Sequence, residues 1–413
     1  MGRQTRGRQP YAPKIEHVEV REDKVGLRIA LFVMSVALAV TAFGFGINGL
    51  LTPETGWHEV DCTTSNSGNI RLQYFYGAGE MGTAAERKLV TQVYSQALSA
   101  AETQLGAGPA DAVNLYTISA HPNAEVTVEP LLYSALESYL ETGDRSIYYG
   151  PLLSRYYALF ACQNDEDASL YDPARNDQAA SFADRIAQYA RDPQSIRLEL
   201  LGNGKVRLHV SQDYLAFAQE QELDRFLDLG FVREAFVLDA VAQALMEAGL
   251  TNALLTAADG YSRCLWAQET AVNLLEPGTN GVRHVATALW QGPGAAATVW
   301  GASQGQDNGL RGYTYEDGTV RPSVLDAATG QLKAANANLI LFGDDSVGVL
   351  ALDAQKAMAS WNLDGLRYLY SRDGEVFCTD PNVKILREGL LFPWKMRCAL
   401  MQKEGKTSKN ESD

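Results

Sequence analysis

An uncharged apolar segment near the N-terminus constrains the architecture of this chain more than any other feature. From Ile29 to Leu51 the sequence reads IALFVMSVALAVTAFGFGINGLL, with no charged residue. Because about 20 apolar residues span a bilayer as a helix, we predict a transmembrane helix over residues 26–51. A cleaved signal peptide is the alternative, but the run is long for one and no clean small-x-small site follows it.

Basic residues precede this segment: Arg3, Arg6, Arg8, Lys14, Arg21, Lys24 and Arg28. Positively charged flanks stay on the cytoplasmic side of a membrane. We therefore expect residues 1–25 to be a cytoplasmic basic tail of a single-pass cell-membrane protein. The rest of the chain would then lie outside the cytoplasm.

Charge and cysteine usage exclude two classes of function. The net charge is −15, whereas proteins that bind nucleic acid need basic surfaces, so no nucleic-acid partner is expected. The 5 cysteines form no C-x-x-C pair and none lies near two histidines in the sequence. A zinc site is therefore not expected.

Behind the apolar segment, residues 52–69 are polar and predict a linker, and residues 70–400 mix helices with hairpins. Apolar spacing predicts helices over residues 82–105, 129–143 and 177–191, the first with a capping box of Thr83 and Glu86. Asn203–Gly204 and Asp373–Gly374 predict hairpin turns. Because hairpins dominate, we predict an α+β fold with antiparallel sheets. The polar residues 401–413 are expected to be disordered.

The segment FLDLGFVREAFVLD (Phe226–Asp239) predicts a strand, an Asp-Leu-Gly corner and the start of a helix. Such corners can hold phosphates because a helix N-terminus presents free N–H groups. Here the bulky Phe231 and the charged Arg233 stand where a phosphate loop is usually small. The chain has no Rossmann or P-loop signature and no G-x-S-x-G or H-E-x-x-H motif.

Five segments occur in an order that resembles one known family. They are Asn114–Glu141, Arg145–Phe160, Leu227–Gly260, Val320–Gln331 and Leu366–Asp380. Over Ile70–Val383 this order is similar to that of the FAD:protein FMN transferases (ApbE-like flavin transferases), with this chain as a divergent member. The resemblance implies a T-fold-like core of antiparallel sheets and packed helices. It also implies Mg²⁺-dependent transfer of FMN from FAD to a threonine hydroxyl of a partner protein.

The resemblance places the flavin nucleotide beside five residues: Asp228, Gly230, Glu234, Ser146 and Asp326. Asp228 could equally cap the following helix, and the DAATG run that begins at Asp326 is also an ordinary turn. Departures from the family pattern are evident. Arg145–Ser146 replaces a Phe-Asp pair, and Ser323 replaces a histidine.

The resemblance also implies a metal site. Its ligands would be Phe231 through its carbonyl, together with Asp344, Asp345 and Ser346. Carboxylates and hydroxyls suit Mg²⁺. Asp345 would be the catalytic residue if the loop is shifted by one position relative to the family. Without that shift the ligand positions hold Gly343 and Val347, no metal binds, and the GDDS run only caps the next helix.

Two main hypotheses follow. The first is a membrane-anchored transferase that uses FAD and Mg²⁺ to modify an extracytoplasmic or membrane flavoprotein. The second is a catalytically degenerate relative that binds flavin or serves as a scaffold. The departures at four motif segments favour the second for mechanism. An unrelated anchored binding domain is a third, weaker alternative.

Overall fold

Helices and antiparallel strands alternate along the chain. The computed structural model describes residues 55–63, 69–79, 81–278, 281–301, 312–344, 346–386 and 400–401. Their α-helices are α1 (Thr83–Gln104), α2 (Leu115–Ala120), α3 (Pro130–Glu141), α4 (Gly150–Ala161), α5 (Asp165–Ser169), α6 (Asp177–Arg191), α7 (Gln212–Glu220), α8 (Arg233–Glu247) and α9 (Val347–Ser360). Short 3-10 turns, Ser146–Tyr149 and Gly230–Val232, lead into α4 and α8.

The strands of the same residues are β1 (Gly56–Val60), β2 (Ile70–Tyr76), β3 (Glu125–Thr127), β4 (Ile196–Gly202), β5 (Lys205–Val210), β6 (Ala253–Ala257), β7 (Tyr261–Cys264), β8 (Glu269–Gly278), β9 (Gly281–Gln291), β10 (Gly294–Trp300), β11 (Gly312–Thr314), β12 (Val320–Pro322), β13 (Leu325–Asp326), β14 (Gln331–Leu332), β15 (Asn338–Gly343), β16 (Tyr368–Arg372), β17 (Glu375–Cys378), β18 (Val383–Leu386) and β19 (Leu400–Met401).

The main sheet is antiparallel throughout, which confirms the predicted α+β class. Its strand order is β1-β2-β6-β7-β10-β15-β16-β17. A second sheet has the order β18-β9-β8-β19, and a third the order β3-β5-β4. Both predicted hairpins form, β4 with β5 and β16 with β17. Positive φ angles at Asn203 (53°) and Asp373 (54°), each followed by a glycine, suit the tight turns of these hairpins.

The main sheet is buried on both faces. In β15, Leu339 and Leu341 pack into the core beneath the helices. Ile340 and Phe342 pack instead into a smaller core with side chains of β8 and β9. Side chains alternate between the two faces of a strand, so a strand that is covered on both sides is apolar at every position. This explains why NLILFG predicts a strand without any polar alternation.

Three local expectations are wrong. Residues 226–229 form no strand, because they run against the start of α4 rather than along a sheet. The predicted capping box at Thr83 is absent: Gly82 caps α1, and the Glu86 carboxylate accepts hydrogen bonds from the Tyr74 hydroxyl (3.1 Å) and the Gly77 N–H (3.0 Å). The expected linker 52–69 contains β1, which pairs with β2 as an edge strand.

No helix in the described part of the chain is both long and apolar enough to cross a membrane. The predicted transmembrane helix (26–51), the basic tail (1–25) and residues 402–413 of the polar tail lie outside those residues.

Candidate functional site

One cavity gathers three of the family-like segments. It has a volume of about 390 Å³, within the roughly 300–1,000 Å³ range of small-molecule sites. Its walls come from residues 142–146, 229–232 and 325–328, from one face of α9, and from Leu153 and Arg191. The predicted nucleotide residues Ser146, Gly230 and Asp326 all line it. Segments that are far apart in sequence therefore meet at one site.

The corner at residues 226–230 is held against the start of α4. A Cβ on Gly150 would lie 2.9 Å from the carbonyl carbon of Phe226, so only glycine allows this approach. The Asp228 N–H donates to the Ile147 carbonyl (2.9 Å), and Asp228 Oδ1 accepts from the Gly230 N–H (2.8 Å). Asp228 is 4% exposed and is absent from the cavity lining. The hydrogen bonds of Asp228 therefore shape the corner.

Three side chains fix the turn at 326–330. Tyr149 donates its hydroxyl proton to the Ala327 carbonyl (2.8 Å), and Tyr156 donates to the Gly330 carbonyl (2.7 Å). Arg191 donates from Nη1 to the Ala328 carbonyl (2.8 Å). These bonds attach the turn to α4, to the 3-10 turn before it, and to α6.

The Asp326 carboxylate itself completes the same turn. It accepts from the Ala328 N–H (3.0 Å) and the Thr329 hydroxyl (3.0 Å), and Lys333 lies 3.6 Å from it. The resemblance implied a nucleotide contact here. The Asp326 side chain lines the cavity, but its hydrogen bonds are those of an ordinary turn, which was the alternative that the sequence allowed.

The two arginines of the cavity are committed to main-chain carbonyls. Arg145 donates to Ala190 (2.7 Å) and Ile196 (2.8 Å), and Arg191 donates to Ala187 (3.0 Å) besides its bond to the 326–330 turn. Guanidinium groups that hold phosphates usually direct paired N–H groups at them. Here several of those N–H groups hold the fold together instead.

Glu234 does not reach the cavity, although the resemblance implied a nucleotide contact. It is 2% exposed and pairs with Arg233 (2.8 Å), while its Oε2 has no hydrogen-bond partner among the described residues. It lies beside Glu102 at the end of α1. Burial, and after it the Glu234 carboxylate, raise the pKa of Glu102 to about 7. The nucleotide contact of Glu234 therefore has no support from the lining of this cavity and stays a prediction.

The proposed metal loop is engaged elsewhere. The Asp344 carboxylate is 76% exposed and pairs with Arg367 (2.8 Å), and the Asp344 carbonyl accepts from Arg263 (2.9 Å). Ser346 caps α9 by accepting from the Val349 N–H (3.1 Å). Neither residue lines the cavity, whose α9 face begins at Leu352. Asp345, predicted as catalytic, lies outside the described residues.

Asp239 is the main partner of the Ser346 side chain. The Asp239 carboxylate accepts from the Ser346 hydroxyl (2.6 Å) and from the N–H groups of Val347 (2.9 Å) and Gly348 (2.8 Å). Burial raises the pKa of Asp239, and these three bonds oppose that rise. The carboxylate thus ties the N-terminus of α9 to α8, where a negative charge is favourable.

Phe231 forms a wall of the cavity. Its ring is 6% exposed and packs near Tyr157 and Phe160, each with ring centroids 5.9 Å away. The sequence suggested that this ring would occupy nucleotide space; the ring faces the aromatic side of α4 instead. The Phe231 carbonyl, predicted to bind metal, accepts a hydrogen bond from the Tyr261 hydroxyl (2.8 Å).

Of the four predicted magnesium ligands, the structure describes Phe231, Asp344 and Ser346, and the ligand atoms of these three have other partners. Within the described ranges, no three His, Cys, Asp or Glu side chains converge on one point. The predicted hydroxyl and carbonyl ligands already have hydrogen-bond partners, and the carboxylate of Asp344 points to solvent and Arg367.

Sequence reasoning missed Tyr139, Tyr149, Arg191, Gln355 and Lys356. Gln355 and Lys356 line the cavity from α9, which the sequence identified only as a helix. Tyr149 and Tyr156 lie inside a family-like segment, but their partners are more than 170 residues away, at separations of 178 and 174. No local pattern signals bonds at that distance.

Comparison with known proteins finds a likeness in structure but none in sequence. No protein-family model and no curated protein matches the sequence. Among solved structures, the ApbE protein of Thermotoga maritima superposes with a TM-score of 0.54 at 13% identity, over 79% of this chain and 97% of that chain.

Two further solved structures are similar at lower scores. The flavin transferase ApbE of Vibrio cholerae has a TM-score of 0.49 at 13% identity, over 81% of this chain and 96% of that one. The flavinyl transferase ApbE of Pseudomonas stutzeri, in its apo form, has a TM-score of 0.48 at 10% identity, over 79% and 94%. At such identities likeness concerns the fold, and we rest the conclusion on the Thermotoga protein. In its fold the chain is therefore an ApbE-like protein, divergent in sequence, as the resemblance predicted.

Proposed function

We propose that this chain is a membrane-anchored protein that binds a flavin nucleotide in the cavity and has lost Mg²⁺-dependent FMN transfer. The observation that carries the proposal is a contrast. Three family-like segments meet at one cavity, whereas three of the four residues expected to hold magnesium, Phe231, Asp344 and Ser346, have contacts with other parts of the fold.

The cavity suits a flavin in its chemistry. Apolar side chains such as Leu153, Leu325 and Leu352 form part of the wall, and polar groups lie at residues 142–146. Gln355 also lines the cavity, and its buried Oε1 has no partner among the described residues. Lys356 is exposed on the same face of α9 and can meet a phosphate. A bound flavin supplies one- and two-electron redox chemistry.

Transfer would need a group that offsets the charge on the leaving AMP as the threonine oxygen attacks the FMN phosphorus. A divalent metal usually does this. In this chain Ser346 Oγ already bonds Asp239, and the Phe231 carbonyl already bonds Tyr261. We therefore favour the hypothesis that this chain is a catalytically degenerate protein that binds flavin.

Binding and transfer are tested in one experiment. The full chain, purified in mild detergent, is titrated with FAD by fluorescence, with Mg²⁺ or with EDTA. We expect saturable binding with the same Kd, within about twofold, in both conditions, because no step depends on the metal. AMP release is then followed with a flavoprotein acceptor domain, and an active ApbE enzyme serves as positive control.

Two results contradict the proposal in different ways. AMP release that needs Mg²⁺ would identify a working transferase, with Asp345 as the first residue to replace. Absence of any flavin binding, in a chain that unfolds cooperatively, would reject the flavin-binding function itself.

The location is part of the proposal and has its own test. The basic residues before the apolar segment, such as Arg21 and Lys24, favour a cytoplasmic N-terminus and an extracytoplasmic domain. In a chain whose 5 native cysteines are replaced by serine, we expect a membrane-impermeant thiol reagent added to intact cells to label a cysteine introduced at the exposed Glu375, but not one introduced at Gln4. The reverse pattern would overturn the proposed topology.

A further inference from the structure

A chain of hydroxyl groups beside the cavity fixes the direction of one hydrogen bond. The Tyr139 hydroxyl oxygen lies 2.8 Å from Asp144 Oδ1, 2.5 Å from Ser146 Oγ and 2.8 Å from the Ile147 nitrogen. Tyr139 is 0% exposed, so these three groups satisfy its hydroxyl. Ser146 and Asp144 also line the cavity.

The donors and acceptors in this chain can be assigned. The Ile147 N–H can only donate, so the Tyr139 oxygen accepts from it. The Asp144 carboxylate accepts, and it also receives the Ser146 N–H (2.7 Å) on the same oxygen. Burial raises the pKa of Tyr139 well above its usual value, so Tyr139 keeps its proton and donates it to Asp144. Ser146 must then donate its own proton to Tyr139.

Ser146 therefore offers the cavity only lone pairs. A hydroxyl whose proton is committed elsewhere behaves as an acceptor. A phosphoryl oxygen, which also only accepts, would be repelled at this position, and the neighbouring Asp144 carboxylate adds to that repulsion. A ligand atom that meets Ser146 must carry an N–H or O–H.

Gln355 gives an independent observation of the same kind. Its Nε2 donates to the Ser323 carbonyl (3.1 Å), which fixes the orientation of the amide. The oxygen of the amide, Oε1, is buried in the cavity lining without a partner among the described residues. A buried acceptor without a partner is unfavourable, and a rotation of this side chain toward the cavity would let a ligand supply the missing donor.

We propose, on the basis of the flavin-binding function above, that Ser146 is a specificity-determining acceptor that selects the uncharged, donor-bearing part of the flavin. Tyr139 is a positioning residue that keeps Ser146 in its accepting orientation. Two parts of a flavin carry such donors: the imide N–H of the oxidised ring and the hydroxyls of the ribityl chain. The phosphate would lie away from Ser146.

Riboflavin, which lacks phosphate, is the probe for the test. Ser146→Ala in the full chain should weaken riboflavin binding about three- to tenfold, the value of one hydrogen bond. Ser181→Ala is the matched control: its hydroxyl donates to the Asp177 carbonyl (2.8 Å) on exposed α6, and affinity should stay within about twofold. Thermal unfolding of each variant verifies that the fold is intact.

Two analogues identify the source of the donor. If the imide N–H is the donor, N3-methylriboflavin binds wild type and Ser146→Ala equally. If a ribityl hydroxyl is the donor, lumiflavin, which lacks the ribityl chain, is insensitive to Ser146→Ala. In Tyr139→Phe, Ser146 no longer has to donate its proton to Tyr139. The ratio of the affinity for riboflavin to that for the analogue that does not respond to Ser146→Ala should then fall to less than about threefold.

The outcomes separate this inference from the function on which it rests. Equal riboflavin affinity in wild type and Ser146→Ala would overturn the inference and leave flavin binding intact. A wild-type chain that binds neither riboflavin nor FAD would remove both. An unchanged preference in Tyr139→Phe would reject the positioning role of Tyr139.

Discussion

Asp239→Ala should lower the free energy of unfolding by about 2–4 kcal/mol, because it removes a partly buried carboxylate that accepts three hydrogen bonds. The N–H groups of Val347 and Gly348 would be left buried without partners, and α9 would lose its tie to α8. Chemical denaturation of the full chain measures the change. Asp239→Asn keeps one carbonyl acceptor and should lie between the alanine variant and wild type.

Asp344→Ala is the matched control for this prediction. Asp344 lies in the loop before α9, is 76% exposed and pairs across the surface with Arg367, so its removal should cost less than about 1 kcal/mol. An Asp239→Ala variant as stable as Asp344→Ala would contradict the structural role that we assign to Asp239.

Gly150→Ala should have the second large effect, on both stability and ligand binding. The added Cβ would lie 2.9 Å from the carbonyl carbon of Phe226, 3.0 Å from the oxygen of that carbonyl and 3.1 Å from the Leu227 nitrogen. Main-chain atoms cannot rotate away, so the segment before Asp228 must shift. We expect a loss of about 3 kcal/mol in the free energy of unfolding and at least tenfold weaker riboflavin binding.

Gly108→Ala tests whether this effect is specific. No atom lies within 4 Å of the Cβ that this substitution would add, and the expected change is within about 0.5 kcal/mol. Similar unfolding midpoints and riboflavin affinities for the two alanine variants would show that the corner at 226–230 does not depend on the close approach to Gly150.

The regular elements were predictable where local periodicity determines them. The helix predicted over 177–191 is α6, and the hairpin turns at Asn203–Gly204 and Asp373–Gly374 form as expected. These predictions succeed because apolar spacing and turn residues act over a few positions. The family resemblance added the long-range order of segments, which the cavity brings together.

The chemistry of the site was harder to predict because it depends on partners that are distant in sequence. Ser346 bonds Asp239 over a separation of 107 residues, and the Phe231 carbonyl bonds Tyr261 over 30. The sequence indicated which atoms could bind a metal. It could not indicate that the fold had already given those atoms other partners. Glu234 was also hard to place, since its burial beside Glu102 of α1 depends on the packing of two helices that are far apart in sequence.

The 326–330 turn is held in place by hydrogen bonds from Tyr149, Tyr156 and Arg191. These bonds have a consequence for the thermodynamics of ligand binding. A wall that is already hydrogen-bonded to two helices loses little conformational freedom when a ligand arrives. The entropy of ordering this wall is then part of folding rather than of association. Differences in affinity between ligands at such a rigid site should appear mainly as differences in how long each ligand stays bound.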